Sequence, residues 1–224
     1  MTLEFINLGI GYEQKTLFCN LNASLKSGDS LAIMGCNGAG KSTLLKTLAL
    51  RQKPNSGGIL FNGNLLKSSD IGYLPQSSNI VSDIGISASE FVKLSLKGKI
   101  SQTKFENTFA EYDLDKIIDT PLNELSGGQL NRLQMVRIDL QNPQVLLFDE
   151  PFAYLDNSSR NILIKKISDW KQLGKIIIVS VHDERLTLEF DHFLTLDGTN
   201  AHWEEKMKSH NKDCALAGCA LVGS

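Results

Sequence analysis

The chain has 224 residues, a length for one domain or one domain with a small lobe, which excludes tandem duplication of a full domain and long coiled-coil arms. With 23 Lys and Arg against 25 Asp and Glu the formal charge is −2, so a generally basic nucleic-acid footprint is absent and no nucleic-acid partner is expected. Hydrophobic residues at 42%, charged residues at 21% and 18 glycines describe a globular chain rather than a disordered, collagen-like or coiled-coil one.

Met1 to Ile10 carries Glu4 and lacks a basic leader followed by an apolar core, so a cytoplasmic location is the expectation. Leu3 to Ile10 alternates weakly, and Leu17 to Leu25 follows a polar turn, which predicts two strands of a small antiparallel lobe. Ser30 to Met34 is a short apolar run that meets the glycine-rich stretch Gly35 to Gly40 and then Lys41 to Leu50, a pattern of strand, loop and helix. Ile59 to Asn62, among Gly57, Gly58 and Gly63, reads as a strand, as does Asp70 to Leu74 before Pro75 and Gln76.

Glu90 to Leu96, Gln102 to Tyr112 and the segment after Ser126, with Leu130, Leu133, Val136 and Leu140, suit helices, so the middle third is a helical lobe. Val145 to Phe148 and Ile176 to Val181 are buried strands, Arg160 to Leu173 is a helix closed by Gly174, and Phe193 to Leu196 is a final strand. His202 to Ser224 loses this periodicity and reads as a frayed tail. No apolar run reaches the roughly 20 residues of a membrane helix. Cys19 and Cys36 stand singly and Cys214 and Cys219 form a tail pair, which fits neither a disulfide framework nor a zinc knuckle and suits a reducing compartment.

Gly35-Cys36-Asn37-Gly38-Ala39-Gly40-Lys41-Ser42 satisfies G-x-x-x-x-G-K-S between a strand and a helix, the arrangement of a phosphate-cradling loop. Its glycines let backbone N–H groups turn toward phosphate oxygens, and the positive end of the following helix faces the same charge. Lys41 is placed to reach the β- and γ-phosphates and Ser42 to put its hydroxyl on Mg²⁺, while Thr43 supports helix packing beside the nucleotide. Asp149 and Glu150 follow the buried strand Val145 to Phe148, at the edge where open α/β sheets bind ligands. Asp149 is expected to hold Mg²⁺ through its water shell, and Glu150 to take a proton from the water attacking the γ-phosphate.

At Leu125-Ser126-Gly127-Gly128-Gln129 the chain resembles ATP-binding cassette ATPases, whose signature reads the same. The resemblance runs from about Leu3 to Leu196 in the family's order. It implies that Tyr12 stacks on adenine, that Gln76 is the glutamine-loop residue sensing Mg²⁺ or water, that Asp156 is the aspartate-loop residue and that His182 is the switch histidine. From the residues alone, Tyr12 can stack on adenine or anchor a turn, Asp156 can cap the helix before Arg160, and His182 at a strand end is either a structural histidine or one that contacts the γ-phosphate or orients the attacking-water network.

The expected fold is therefore α/β: a phosphate-loop NTPase core with a mostly parallel sheet, a small antiparallel β lobe and an inserted helical lobe at about 77–140. One domain spans 1–205, with a tail at 206–224. The resemblance implies a head-to-tail homodimer in which Ser126 and Gly128 of one subunit cover the γ-phosphate held by Lys41 of the other, with Gly127 and Gln129 of the same signature among the nucleotide-binding residues. Ser126 can also cap its own helix, making a second anion-seeking terminus.

ATP and Mg²⁺ are the implied cofactors, and ATP hydrolysis is the implied activity. The implied partner is a separate integral membrane permease that docks around Ile80 to Leu96 and holds the chain at the inner face of the cell membrane. The short lobe and the run Ile71 to Gln76 are similar to ATPases of zinc, manganese or iron importers, so a metal cation is the expected solute. A soluble ATPase of the same family, serving iron-sulfur assembly, is the alternative, and a catalytically idle interaction module is a third. Cys36, Phe152-Ala153-Tyr154 and Val181 depart from the commonest family pattern, in which proline, small or hydroxylated residues, and serine or threonine are usual. The bulk of Phe152 and Tyr154 falls on the expected dimer seam.

Overall fold

The computed structural model describes residues 1–12, 15–76, 85–96, 98–153, 155–181 and 190–205. The chain opens with β1 (Thr2–Tyr12) and β2 (Lys15–Lys26), passes through β3 (Ser30–Gly35) and helix α1 (Lys41–Leu48), and lays down β4 (Ser56–Phe61), β5 (Asn64–Leu65) and β6 (Ile71–Leu74). Helices α2 (Ala88–Leu94), α3 (Gln102–Glu111) and α4 (Gly127–Gln141) follow. The sequence then returns to β7 (Val145–Asp149), helix α5 (Asn157–Gln172), β8 (Ile176–Ser180), β9 (His192–Leu196) and β10 (Ala201–Glu205).

One sheet has the order β2-β1-β4-β5 and is antiparallel throughout. The other has the order β10-β9-β3-β8-β7-β6, with every pairing parallel except that of β10 with β9. Parallel strands need covering on both faces, because their crossover helices bury both. The side-chain alternation of β7 and β8 shows this directly. Val145, Leu147, Ile176 and Ile178 join Leu44, Leu45 and Leu48 of α1 and Leu3, Phe5 and Ile10 of β1 in one core. Leu146, Phe148, Ile177 and Val179 join Leu133 and Val136 of α4 and Leu163 and Trp170 of α5 in the other. Each fully buried side chain of this kind contributes about 1.5–3 kcal/mol, and Phe148 adds a stacked contact to Trp170 with ring centroids 5.7 Å apart.

The layout matches the expected α/β phosphate-loop architecture, and its departures have local causes. The strand read as Ile59 to Asn62 begins earlier, at Ser56, and pairs with β1 as Phe5↔Ile59 and Leu3↔Phe61. It can do so because Gly57 has φ +69° at a point where a Cβ would stand 2.2 Å from the Ile6 carbonyl oxygen. Helix α2 starts at Ala88 rather than Glu90, since Ser87 and Glu90 cap it reciprocally: Glu90 N–H donates to Ser87 Oγ at 3.3 Å, and Ser87 N–H donates to Glu90 Oε2 at 2.8 Å. The tail was expected to fray from His202, but Ala201–Glu205 forms β10 on the edge of the parallel sheet. Its mostly exposed mixture of His202, Glu204 and Glu205 shows no period, and the partner strand supplies the order. Residues 206–224, with Cys214 and Cys219, lie outside the described residues.

Candidate functional site

Strand β3 delivers the chain to the glycine loop at Gly35, whose φ of +140° leaves no room for a side chain: a Cβ would lie 2.3 Å from the Leu196 carbonyl oxygen. The loop then turns tightly, Ala39 N–H donating to the Cys36 carbonyl at 3.1 Å, while the Ala39 side chain enters the core shared with α1. Gly40 holds the N-cap position of α1 in the left-handed region and brings no side-chain acceptor to the helix start. The first-turn amides of α1 are therefore left for an anion. Buried Lys41 donates from Nζ to the carbonyls of Gly35 at 2.7 Å and Cys36 at 3.3 Å. Burial lowers its pKa, against the opposing pull of Glu150 and Asp149.

The acidic pair stands at the end of β7. Asp149 is buried, and its carboxylate accepts from the Ser180 hydroxyl at 2.8 Å; the same Ser180 oxygen accepts the Glu150 N–H at 2.8 Å. Glu150 has φ +50° and accepts at Oε2 from Gln76 Nε2 at 2.7 Å. Strand β6 carries Gln76 into place, and α4 steadies that strand through Arg137, whose Nη2 donates to the Tyr73 carbonyl at 3.2 Å. The Tyr73 hydroxyl is pushed up to about 12, first by burial and then by nearby Asp149.

These elements meet in a cleft of about 570 Å³ lined by Tyr12, Asn37, Gly38, Gly40, Lys41, Ser42, Thr43, Gln76 and Glu150. Residues remote in sequence are thus brought onto the phosphate loop. Among the described residues no cluster of three or more His, Cys, Asp or Glu side chains forms a closed metal cage. The oxygen donors lining the cleft are the Ser42 hydroxyl, the Gln76 amide and the Glu150 carboxylate, while the expected metal residue Asp149 is buried on Ser180 and does not line it. This hard-oxygen set suits Mg²⁺, which keeps water and phosphate oxygens as its remaining ligands.

Other expected site residues lie elsewhere. Ser126 caps α4, its Oγ accepting Gln129 N–H at 3.3 Å while Gln129 Oε1 accepts Ser126 N–H at 2.8 Å. A Cβ on Gly127 would meet nothing within 4 Å, so this helix end presents bare backbone. Neither Ser126, Gly127, Gly128, Gln129 nor Asp156 lines the cleft. Asp156 caps α5, accepting Ser159 N–H at 2.7 Å, and that bond lowers its pKa. Cys36 is an exposed free thiol, and half-buried Phe152 lies beneath the Arg160 guanidinium at 5.8 Å from the ring centroid. His182 and Tyr154 lie outside the described residues. Ser180 carries only a faint signal in the sequence, a lone hydroxyl residue at the end of the apolar run of β8.

The fold and the loop define a phosphate-loop NTPase. Residues 18–153 match the ABC transporter family, and the chain belongs to that family as an ATP-binding ATPase domain. A probable ABC transporter ATP-binding protein of Cyanophora paradoxa is 35% identical over 207 residues, which cover 87% of this chain and 85% of that protein. The zinc import ATP-binding protein ZnuC of Pasteurella multocida is 32% identical over 187 residues, 83% of this chain and 69% of its own. A solved ATP-binding subunit of an ABC transporter shares the fold with a TM-score of 0.81, at 24% identity over 92% of this chain and 90% of that one.

Proposed function

We propose that the chain is the ATP-hydrolysing subunit of a transporter whose separate integral membrane permease carries a metal cation, and that it works at the inner face of the cell membrane. The observation carrying this reading is the convergence of Tyr12, Gln76 and Glu150 on the loop that holds Lys41 and Ser42. The solute class rests on the likeness to ZnuC. No described helix is long and apolar enough to cross a membrane.

In this reading Tyr12 stacks on adenine and the amides of the glycine loop and of α1 bind the phosphates. Lys41 exchanges its carbonyl contacts for β- and γ-phosphate oxygens, a stronger charge-assisted pairing. Mg²⁺ held by Ser42, Gln76 and Asp149 would offset phosphate charge during transfer. Gln76 orients the Glu150 carboxylate, which accepts the proton of the attacking water, and His182 completes that network. The signature Ser126 to Gln129 serves the nucleotide of a second copy: its absence from the lining of its own cleft supports a head-to-tail homodimer closed by ATP, with Asp156 near the seam.

The test is Glu150→Gln, which keeps the hydrogen-bonding shape but removes the base. ATP binding is expected to persist, turnover to fall at least about 100-fold, and the dimer to accumulate in ATP. Near-normal turnover would refute the base assignment. The same variant, used with ATP to recover the permease from membranes, then identifies the solute through stimulation of the wild-type complex by zinc, manganese or iron. Stimulation by none of them would remove the metal reading.

A further inference from the structure

We infer that Ser180 is a positioning residue for the acidic pair, setting the Asp149 carboxylate and the Glu150 backbone through one hydroxyl. This rests on the roles proposed above for Asp149 and Glu150. Strand β8 is buried along its whole length, and Ile176 to Val179 need no polar partner, yet the strand ends in a serine with 0% exposure. Parallel pairing sets Ser180 opposite Asp149 in register. A hydroxyl owns one hydrogen and two lone pairs, and both capacities are used here: the hydrogen goes to Asp149 Oδ1 at 2.8 Å, and a lone pair takes the Glu150 N–H at 2.8 Å.

The second bond matters because Glu150 occupies φ +50°, a region that side-chain-bearing residues enter rarely and hold only when their surroundings over-determine it. Ser180 fixes the backbone of Glu150, and Gln76 Nε2 meets its carboxylate at 2.7 Å, so the base is held at both ends. The first bond removes rotational freedom from Asp149, which is 2% exposed and has little water to orient its carboxylate. Alanine at 180 would fill most of the same space while removing the Ser180 oxygen from the Glu150 N–H and this donor from Asp149. Such losses fall on geometry at the reacting centre, where small misplacements cost large factors in rate.

The experiment uses the full chain with Ser180→Ala and Ser180→Thr, beside Glu150→Gln. A fluorescent ATP analogue in EDTA reports folding and metal-free nucleotide binding. Electron paramagnetic resonance of Mn²⁺ measures cation affinity in the nucleotide complex, and steady-state kinetics give kcat and KM. For Ser180→Ala we expect metal-free nucleotide binding and KM within about twofold, Mn²⁺ affinity weakened at least about fivefold and kcat lowered at least about tenfold. Ser180→Thr, which keeps the hydroxyl, should recover cation affinity and kcat to within about threefold. Unchanged cation affinity and kcat in Ser180→Ala would overturn the inference. So would equal loss of metal-free binding and activity in both variants, which assigns the serine to packing alone. Near-normal turnover in Glu150→Gln would instead strike the underlying role of the acidic pair.

Discussion

Replacing Gly35 by alanine isolates the cost of the loop's geometry. Gly35 closes β3 opposite Leu196 of β9, at φ +140°, and a Cβ there would stand 2.3 Å from the Leu196 carbonyl oxygen and 3.2 Å from Ala39 Cβ. The disallowed backbone region costs about 1–3 kcal/mol, and the forced separation of two paired strands adds about 1–3 kcal/mol of overpacking. Neither contact is a flexible side-chain end, so the clash cannot be relieved cheaply. Taking about 3–4 kcal/mol together, a chain of this size should melt about 6–16 °C lower. Gly38→Ala is the control: φ is +82°, but nothing lies within 4 Å of its Cβ, so only about 1–2 kcal/mol of strain is expected. Circular dichroism melts without nucleotide measure both, and binding of an ATP analogue measures the accompanying shift of the Gly35 carbonyl that holds Lys41. If Gly35→Ala melted within about 2 °C of Gly38→Ala, the steric argument would be wrong.

Tyr12 is half exposed at the cleft edge; Tyr12→Ala should weaken ATP binding about 2–10-fold while Tyr12→Trp retains it, and unchanged binding by titration in the alanine variant would leave Tyr12 a turn anchor only. Asp156 accepts a backbone N–H that lowers its pKa, so its contribution is complete above the unfolded carboxylate value near pH 4 and is lost as pH falls through the lowered folded value. Asp156→Ala should melt about 2–4 °C below wild type at pH 7, with the gap narrowing below about pH 4; a gap that widened in acid would contradict the cap.

The parts of the site that were legible are those whose physics is local. Gly35 to Ser42 announces its loop because φ is limited by each residue's own side chain, and Ser126 with Gln129 announces a helix start because both bonds close within one turn. The apolar runs of β7 and β8 likewise declared buried parallel strands. The strand at Ser56 was misplaced by a few residues because its register depends on Gly57 passing close to Ile6 and Asn7. Strand β10 was missed because an exposed edge strand has no pattern of its own.

By itself, then, the sequence determined the phosphate loop, the capped signature helix, the acidic end of β7 and the family to which they belong. Only the tertiary structure decided that Tyr12, Gln76 and Glu150 share a wall with Lys41, and that one buried serine joins Asp149 to Glu150. The reason is reach: backbone sterics and one-turn hydrogen bonds are written in neighbouring residues. The register between β7 and β8 comes from two cores packed on opposite faces of the same sheet.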